Sequence, residues 1–157
     1  INQLTEYFNT EYVPEFARDY LQEKWDFKKE VCSKEDLIVI VKEQVNLENE
    51  LSSKANKVLF LDTNIITTIN WSLTHFDGYC DPWIIKQAEF LKYHHYLITN
   101  IDIPWVKDDL RDRPNERESM LSSLINQHDI RGLKYSIISG DRSKRLDNAI
   151  DIINNIL

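Results

Sequence analysis

The segment "KVLFLD" at residues 57 to 62 sets four apolar side chains in a row, Val58 to Leu61, ahead of an acid, Asp62. A strand that is apolar at every position must be covered on both faces, which points to the interior of a parallel sheet with helices on either side. In open sheets of this kind ligand chemistry gathers at the carboxyl ends of the strands, and Asp62 stands at one of them. "HYLIT" at 95 to 99 and "LKYSIIS" at 133 to 139 read as further strands, and "TEYVP" at 10 to 14 as a short extended piece.

Helical periodicity fills the intervals. Ile1, Leu4 and Phe8 share one face, and Phe16, Ala17, Tyr20 and Leu21 share another in "EFARDYLQEKW". Ser33 heads "SKED", a Ser-x-x-Asp variant of the capping box, before a stripe of Leu37, Ile40, Val41, Gln44, Leu47 and Leu51. The stripe makes "LIVIV" helical although its composition suits a strand. Helices are also expected at 64 to 76, at 82 to 92 with Asp81 as cap and Pro82 in the first turn, at 116 to 127, and through Leu146, Ala149, Ile150 and Ile153. Strands alternating with helices predict a three-layer αβα parallel sheet. A length of 157 residues supports one core and one domain.

Composition narrows the partners. With 42% hydrophobic and 29% charged residues the chain is an ordinary globular sequence, and no apolar run is long enough to cross a bilayer. The net charge of −7 and pI near 5.1 work against a broad grip on nucleic acid, yet leave room for a local basic pocket that takes phosphate. The expectation is a cytoplasmic protein acting on a small molecule, without a membrane or nucleic-acid partner. Cys32 and Cys80 have no paired spacing, and His75, His94, His95 and His128 have no ligand spacing with them.

Four groups of residues fall at strand ends. Asp62 and Thr63 suit magnesium, phosphate or an acceptor hydroxyl; the competing reading is that Asp62 caps the next helix. Glu15 and Arg18, three residues apart, share a helix face and offer a ligand an acceptor and a fork of donors, or simply pair with each other. Residues 102 to 118 hold ten charged side chains, Trp105, and two prolines, Pro104 and Pro114, which favours a defined lid over a free helix. Its arginines, Arg111, Arg113 and Arg117, could close over polyphosphate, with the neighbouring acids holding them ready; a solvated charge lattice is the alternative. Gly140, Asp141 and Arg145 in "SGDRSKR" fit either the border of an adenine ring or a plain turn with Asp141 as cap. Trp105 could stack on a base, whereas Trp25, Trp71 and Trp83 read as core.

Taken in order, "FNTEYVPEFARDYL", "VLFLDTNIITT", "LITNIDIPWVKDDLRDRPNERE" and "IISGDRSKRLDNAI" resemble the ribosylnicotinamide kinase domain of NadR-type NAD-salvage proteins, in the P-loop NTPase superfamily. The resemblance spans nearly the whole chain. It implies a nucleoside-kinase-like P-loop fold and ATP- and Mg2+-dependent phosphorylation of nicotinamide riboside to nicotinamide mononucleotide. Residue by residue it implies Asp62 as the carboxylate for magnesium, through water, or for the attacking hydroxyl, and Arg111 as the lid arginine. Glu15, Arg18, Thr63 and Trp105 would meet the substrate, with Asp108, Arg113 and Arg117 supporting the lid, and Gly140, Asp141 and Arg145 would border the nucleotide. The family carries a strand and a G-x-x-x-x-G-K-[ST] loop before the helix that starts here at Ile1, and residues 1–157 hold neither. The chain is therefore expected to be one kinase-like domain, N-terminally incomplete, with a lid at about 102–118, and inactive without the upstream loop. Asp109 also replaces a glycine frequent in the lid. A kinase of another nucleoside or small metabolite, and a non-catalytic nucleotide-binding module, are the competing expectations.

Overall fold

The structure, a computed structural model, describes residues 1–157. Helix α1 (Asn2–Phe8) ends where Asn9 turns left-handed, at φ 48°, and leads to strand β1 (Tyr12–Val13). Helix α2 (Phe16–Lys28) follows and stops at Lys29, φ 57°. Helix α3 (Lys34–Ser52) begins at a complete capping box: Ser33 Oγ accepts the Asp36 N–H at 3.3 Å, and Asp36 Oδ2 accepts the Ser33 N–H at 2.7 Å. "LIVIV" thus lies in a helix, as its stripe predicts. The remaining elements are β2 (Phe60–Leu61), α4 (Ile65–His75), α5 (Pro82–Phe90), β3 (Tyr96–Thr99), α6 (Arg117–Asp129), β4 (Tyr135–Ile138) and α7 (Arg142–Asn154).

Every expected strand is present and every pairing is parallel, but the strands form two separate pairs, β1 with β2 and β3 with β4. A continuous ladder needs a strand that pairs with both, and none occurs within residues 1–157. Side chains connect the pairs instead: Leu97 of β3 packs against the cluster that Phe60 of β2 forms with Ala149 and Ile153 of α7. Strand β2 is also shorter than the apolar run. Lys57 is left-handed at φ 63° and the Val58 N–H turns back to the Asn56 carbonyl at 2.7 Å, so the extended backbone starts late.

The main core joins three helices to one strand. Leu37, Ile40 and Val41 of α3, Ile65, Ile66 and Ile69 of α4, and Ile84 of α5 meet Tyr96 of β3. Truncating one of these isoleucines to alanine typically costs about 2–5 kcal/mol, so this cluster fixes the scaffold.

One acid is buried in that scaffold without a cation. Glu48 of α3 accepts the Tyr93 hydroxyl at 2.9 Å, and burial, opposed by that hydrogen bond, raises its carboxyl from 4.5 to about 7. Between these values the unfolded chain releases a proton that the folded chain keeps, so stability falls as pH rises and the loss is complete above pH ~7. Urea unfolding of the wild type is expected to lose on the order of 3 kcal/mol across this window relative to Glu48→Gln, which has no proton to release. Parallel curves for the two proteins would contradict the assignment.

Candidate active site

The site starts at the β1–β2 pair. Val13 lies opposite Leu61, and the Asp62 N–H donates to the Val13 carbonyl at 2.8 Å. The two strands run in the same direction, so Glu15 and Asp62 leave their carboxyl ends together. Glu15 occupies the N-cap position of α2 but its side chain makes no cap bond. Gln44 does this work: its side chain, buried against the turn, accepts the Phe16 N–H at 3.0 Å and donates to the Pro14 carbonyl at 3.2 Å. The Glu15 carboxylate is thereby left for the cleft. Burial raises its pKa above the usual range, Arg18 opposes the rise, and the nearby Asp62 carboxylate reinforces it. Arg111 also lies within electrostatic reach of Glu15.

Asp62 is exposed, and its side chain accepts no hydrogen bond from the protein. The cap of α4 is Asn64, whose side chain accepts the Ile66 N–H at 2.8 Å. The capping alternative for Asp62 is thus taken by another residue. Thr63, between them, is left-handed at φ 72°, which turns the chain sharply from strand to helix.

A cleft of about 550 Å³, within the range of small-molecule sites, opens beside these residues. Glu15, Arg18, Thr63, Trp105, Arg111, Arg113 and Arg117 line it. Seven of the residues singled out in the sequence therefore share one cavity, with Asp62 adjoining through Thr63 and Glu15. Gly140, Asp141 and Arg145 do not line it. There Asp141 caps α7 by accepting the Lys144 N–H at 2.9 Å, and Gly140 has a φ of +96° that suits glycine. Arg145 donates to the Gly140 carbonyl at 2.8 Å, to the Asn100 carbonyl at 2.9 Å and to Asp102, tying the ends of β3 and β4 together. The plain-turn reading accounts for this loop's own bonds.

The segment from Asp102 to Glu116 contains no helix or strand, as the prolines predict. It is held down on two helices. Arg18 of α2 donates to Asp108 at 2.9 Å, and Gln22 donates to Asp109 at 3.1 Å. Arg113 donates to the Thr74 carbonyl at 3.0 Å and to Glu116 at 2.7 Å, while His75 Nε2 lies 3.4 Å from Asp112. Arg117 donates to the Ile103 carbonyl at 2.8 Å. The Glu15–Arg18 pair also forms, at 3.7 Å, so that ion pair and the cleft-lining position coexist.

Several lining residues had no place in the sequence reading of the site. Thr67, Trp71 and His75 lie at successive intervals of four along α4, beginning one turn after the Asn64 cap, and their shared face was the available signal. Trp71 stacks on His75 with ring centroids 4.0 Å apart. Trp25 and Trp71 line the cleft, and Trp71, like Trp83, also packs against the main core. Cys32 lines it too, but burial, with Asp36 adding to it, pushes its thiol up to about 12, away from the reactive thiolate form. No group of three or more acid, histidine or cysteine side chains gathers to hold a metal ion. Magnesium needs no such cage, since it keeps most of its water and uses one or two carboxylates plus substrate phosphate. The unpartnered Asp62 carboxylate beside Glu15 fits that mode.

Acids and arginines thus meet at the carboxyl ends of parallel strands between helices, the place where α/β folds take their ligands. The chain belongs to the AAA domain family, whose model matches residues 1–145. It is 22% identical over 163 residues to the trifunctional NAD biosynthesis/regulator protein NadR of Escherichia coli (strain K12), covering all of this chain and 39% of that protein. The chain thus spans about two fifths of the length of that relative. Two crystal structures share its fold across 99% of its length. NadR in complex with NAD and AMP-PNP has a TM-score of 0.77 at 20% identity, with 44% of that chain covered. NadR in complex with NR has a TM-score of 0.79 at 21% identity, with 46% covered.

The two roles at the start of α4 separate by mutation. Asn64→Ala removes the cap and is expected to lower stability by about 1 kcal/mol in urea unfolding. Asp62→Asn is expected to change it by less than ~0.5 kcal/mol. Equal losses would make Asp62 a structural acid.

Proposed function

We propose that the protein is the acceptor-binding and lid portion of an ATP-dependent kinase that phosphorylates nicotinamide riboside to nicotinamide mononucleotide. The observation that carries the reading is the meeting of Glu15, Arg18, Trp105 and Arg111 around one cleft next to Asp62. Relatives of the same fold crystallised with NR and with NAD and AMP-PNP support it. A single domain over residues 1–157 is part of the proposal, as is a phosphate-binding loop contributed by sequence outside them.

In the reaction the acceptor oxygen of the ribose bonds to the γ-phosphorus, the bond to the β,γ-bridging oxygen breaks, and ADP leaves. The hydroxyl proton passes to Asp62 or to water beside it. Asp62, with Glu15, would hold hydrated magnesium, which neutralises charge on the phosphates. Glu15 and Arg18 orient the ribose from α2, and Thr63 and Trp105 complete the substrate wall. Arg111 approaches the transferred group from the lid, where charge spreads over its oxygens, and Arg113 and Arg117 anchor the two sides of that lid. Gly140, Asp141 and Arg145 border the adenine as a preformed turn.

The test is a nucleoside panel. Tryptophans line the cleft, so nicotinamide riboside is expected to quench the intrinsic fluorescence of the 157-residue chain at concentrations at least tenfold below those needed for adenosine or uridine. Equal response to all three would reject the substrate. In a form carrying the phosphate loop, Asp62→Asn is expected to lower kcat by about 100-fold or more with little change in nucleoside KM.

A further inference from the structure

The carboxylate of Asp108 divides its oxygens between two tasks. Oδ1 accepts the backbone N–H groups of Leu110 at 3.0 Å and Arg111 at 2.8 Å, which folds the lid into a tight turn. Oδ2 accepts Arg18 Nη1 at 2.9 Å and lies 3.4 Å from Arg111 Nε. One oxygen therefore draws together a guanidinium from α2 and another from the lid. Guanidinium groups converging on an anionic oxygen are the usual protein answer to phosphate. Here the anion is the protein's own.

The arrangement is suited to exchange. The Asp108, Arg18 and Arg111 side chains are 32%, 37% and 49% exposed, so their ion pairs contribute little to stability and solvent reaches them. Burial acts to raise the Asp108 carboxyl, but the Leu110 N–H and the Arg18 guanidinium outweigh it and hold the group below the usual range. It is an anion at neutral pH. Arg18 and Arg111 both line the 550 Å³ cleft, whereas Asp108 does not. Both arginines are thus open to the cleft while Asp108 holds them.

We propose that Asp108 is a placeholder anion: between Arg18 and Arg111 it fills the position of a phosphate group on the ligand, and it surrenders these arginines when that group arrives. Asp108 is a positioning residue that acts through the two arginines and never touches the reacting atoms. The inference deepens the kinase reading and rests on one part of it, that the cleft takes a phosphorylated small molecule. It does not depend on which nucleoside is the acceptor.

Asp108→Asn separates the two tasks, since the amide keeps an oxygen for the two backbone N–H groups and removes the charge facing the arginines. The probe is inorganic tripolyphosphate, titrated calorimetrically into the full 157-residue chain at about 0.15 M salt. Asp108→Asn is expected to bind it roughly fivefold more tightly than wild type, the effect of deleting one like charge at contact distance under near-aqueous screening. The gain should vanish when Arg18→Gln is added, which a merely structural change in the lid would not produce. Asp108→Glu keeps a competing anion and should bind like wild type, and it carries the test if the asparagine variant fails to fold. Unchanged or weaker binding by Asp108→Asn, a gain that survives Arg18→Gln, or tighter binding by Asp108→Glu would each overturn the proposal. Tripolyphosphate has no nucleoside, so failure of the nicotinamide riboside panel leaves this result readable.

Discussion

The hydrogen bond from the Asp62 N–H to the Val13 carbonyl closes the last rung of the β1–β2 pair, and the cleft is built outward from it. It aligns the ends of two strands, so that the chain departing from one presents Glu15 and the chain departing from the other presents Asp62. Neither strand is longer than two residues, and such a pair is too short to hold this geometry alone. Helix α3 supplies the restraint. Gln44 grips the backbone on both sides of Glu15, and Asp36 takes the Tyr20 hydroxyl at 2.9 Å and the Lys24 ammonium at 2.6 Å from the following two turns of α2. With α2 fixed at both places, Arg18 has a defined direction, toward Asp108.

The lid is attached by a different kind of force. None of its residues from Asp102 to Glu116 belongs to the buried set, whereas α3, α4 and α5 meet through isoleucine, leucine and valine. Exposed ion pairs are worth about 0–1 kcal/mol each, against several kcal/mol for a buried isoleucine. The contacts that hold this segment are therefore each far weaker than those inside the core.

What the sequence disclosed, and what it withheld, follows from how far each interaction reaches. Apolar spacing is local, so α3 could be read through "LIVIV", and the acid after "LFL" marked a strand end before any coordinates. The prolines of residues 102 to 118 are also local constraints, and the segment has no regular structure as they imply. Gln44 was legible only as a polar interruption in an apolar stripe, because its partners at Pro14 and Phe16 lie about 30 residues earlier in the chain. The same limit hid the division of the sheet into two pairs, since each strand announces its own burial and says nothing of its neighbour. Asn64 and Asp62 are equally good caps by composition; the left-handed turn at Thr63 decides between them, and that turn is a property of the folded backbone. Trp71 carried the signal of its i, i+4 relation to Thr67 and His75, but a tryptophan on an apolar helix is more often core.

Charge balance links these pieces to the ligand. The chain carries −7 overall, so an anion gains no long-range attraction from it. The cleft departs from that average: Arg18, Arg111, Arg113 and Arg117 face Glu15, Glu30, Asp109 and Asp112 across its lining, four charges of each sign. Burial raises the Glu15 carboxyl above the usual range, and Arg18 beside it opposes the rise. Any affinity for phosphate must then come from contact, by exchanging the arginines' internal acceptors for those of the ligand. Short-range exchange of this kind loses little when salt screens the bulk charge, because the partners are within a few ångströms and the screening length is near 8 Å. It also makes the cover responsive to a group of the right shape, since only an acceptor that reaches Arg18 and Arg111 together replaces what the lid's own carboxylate provides.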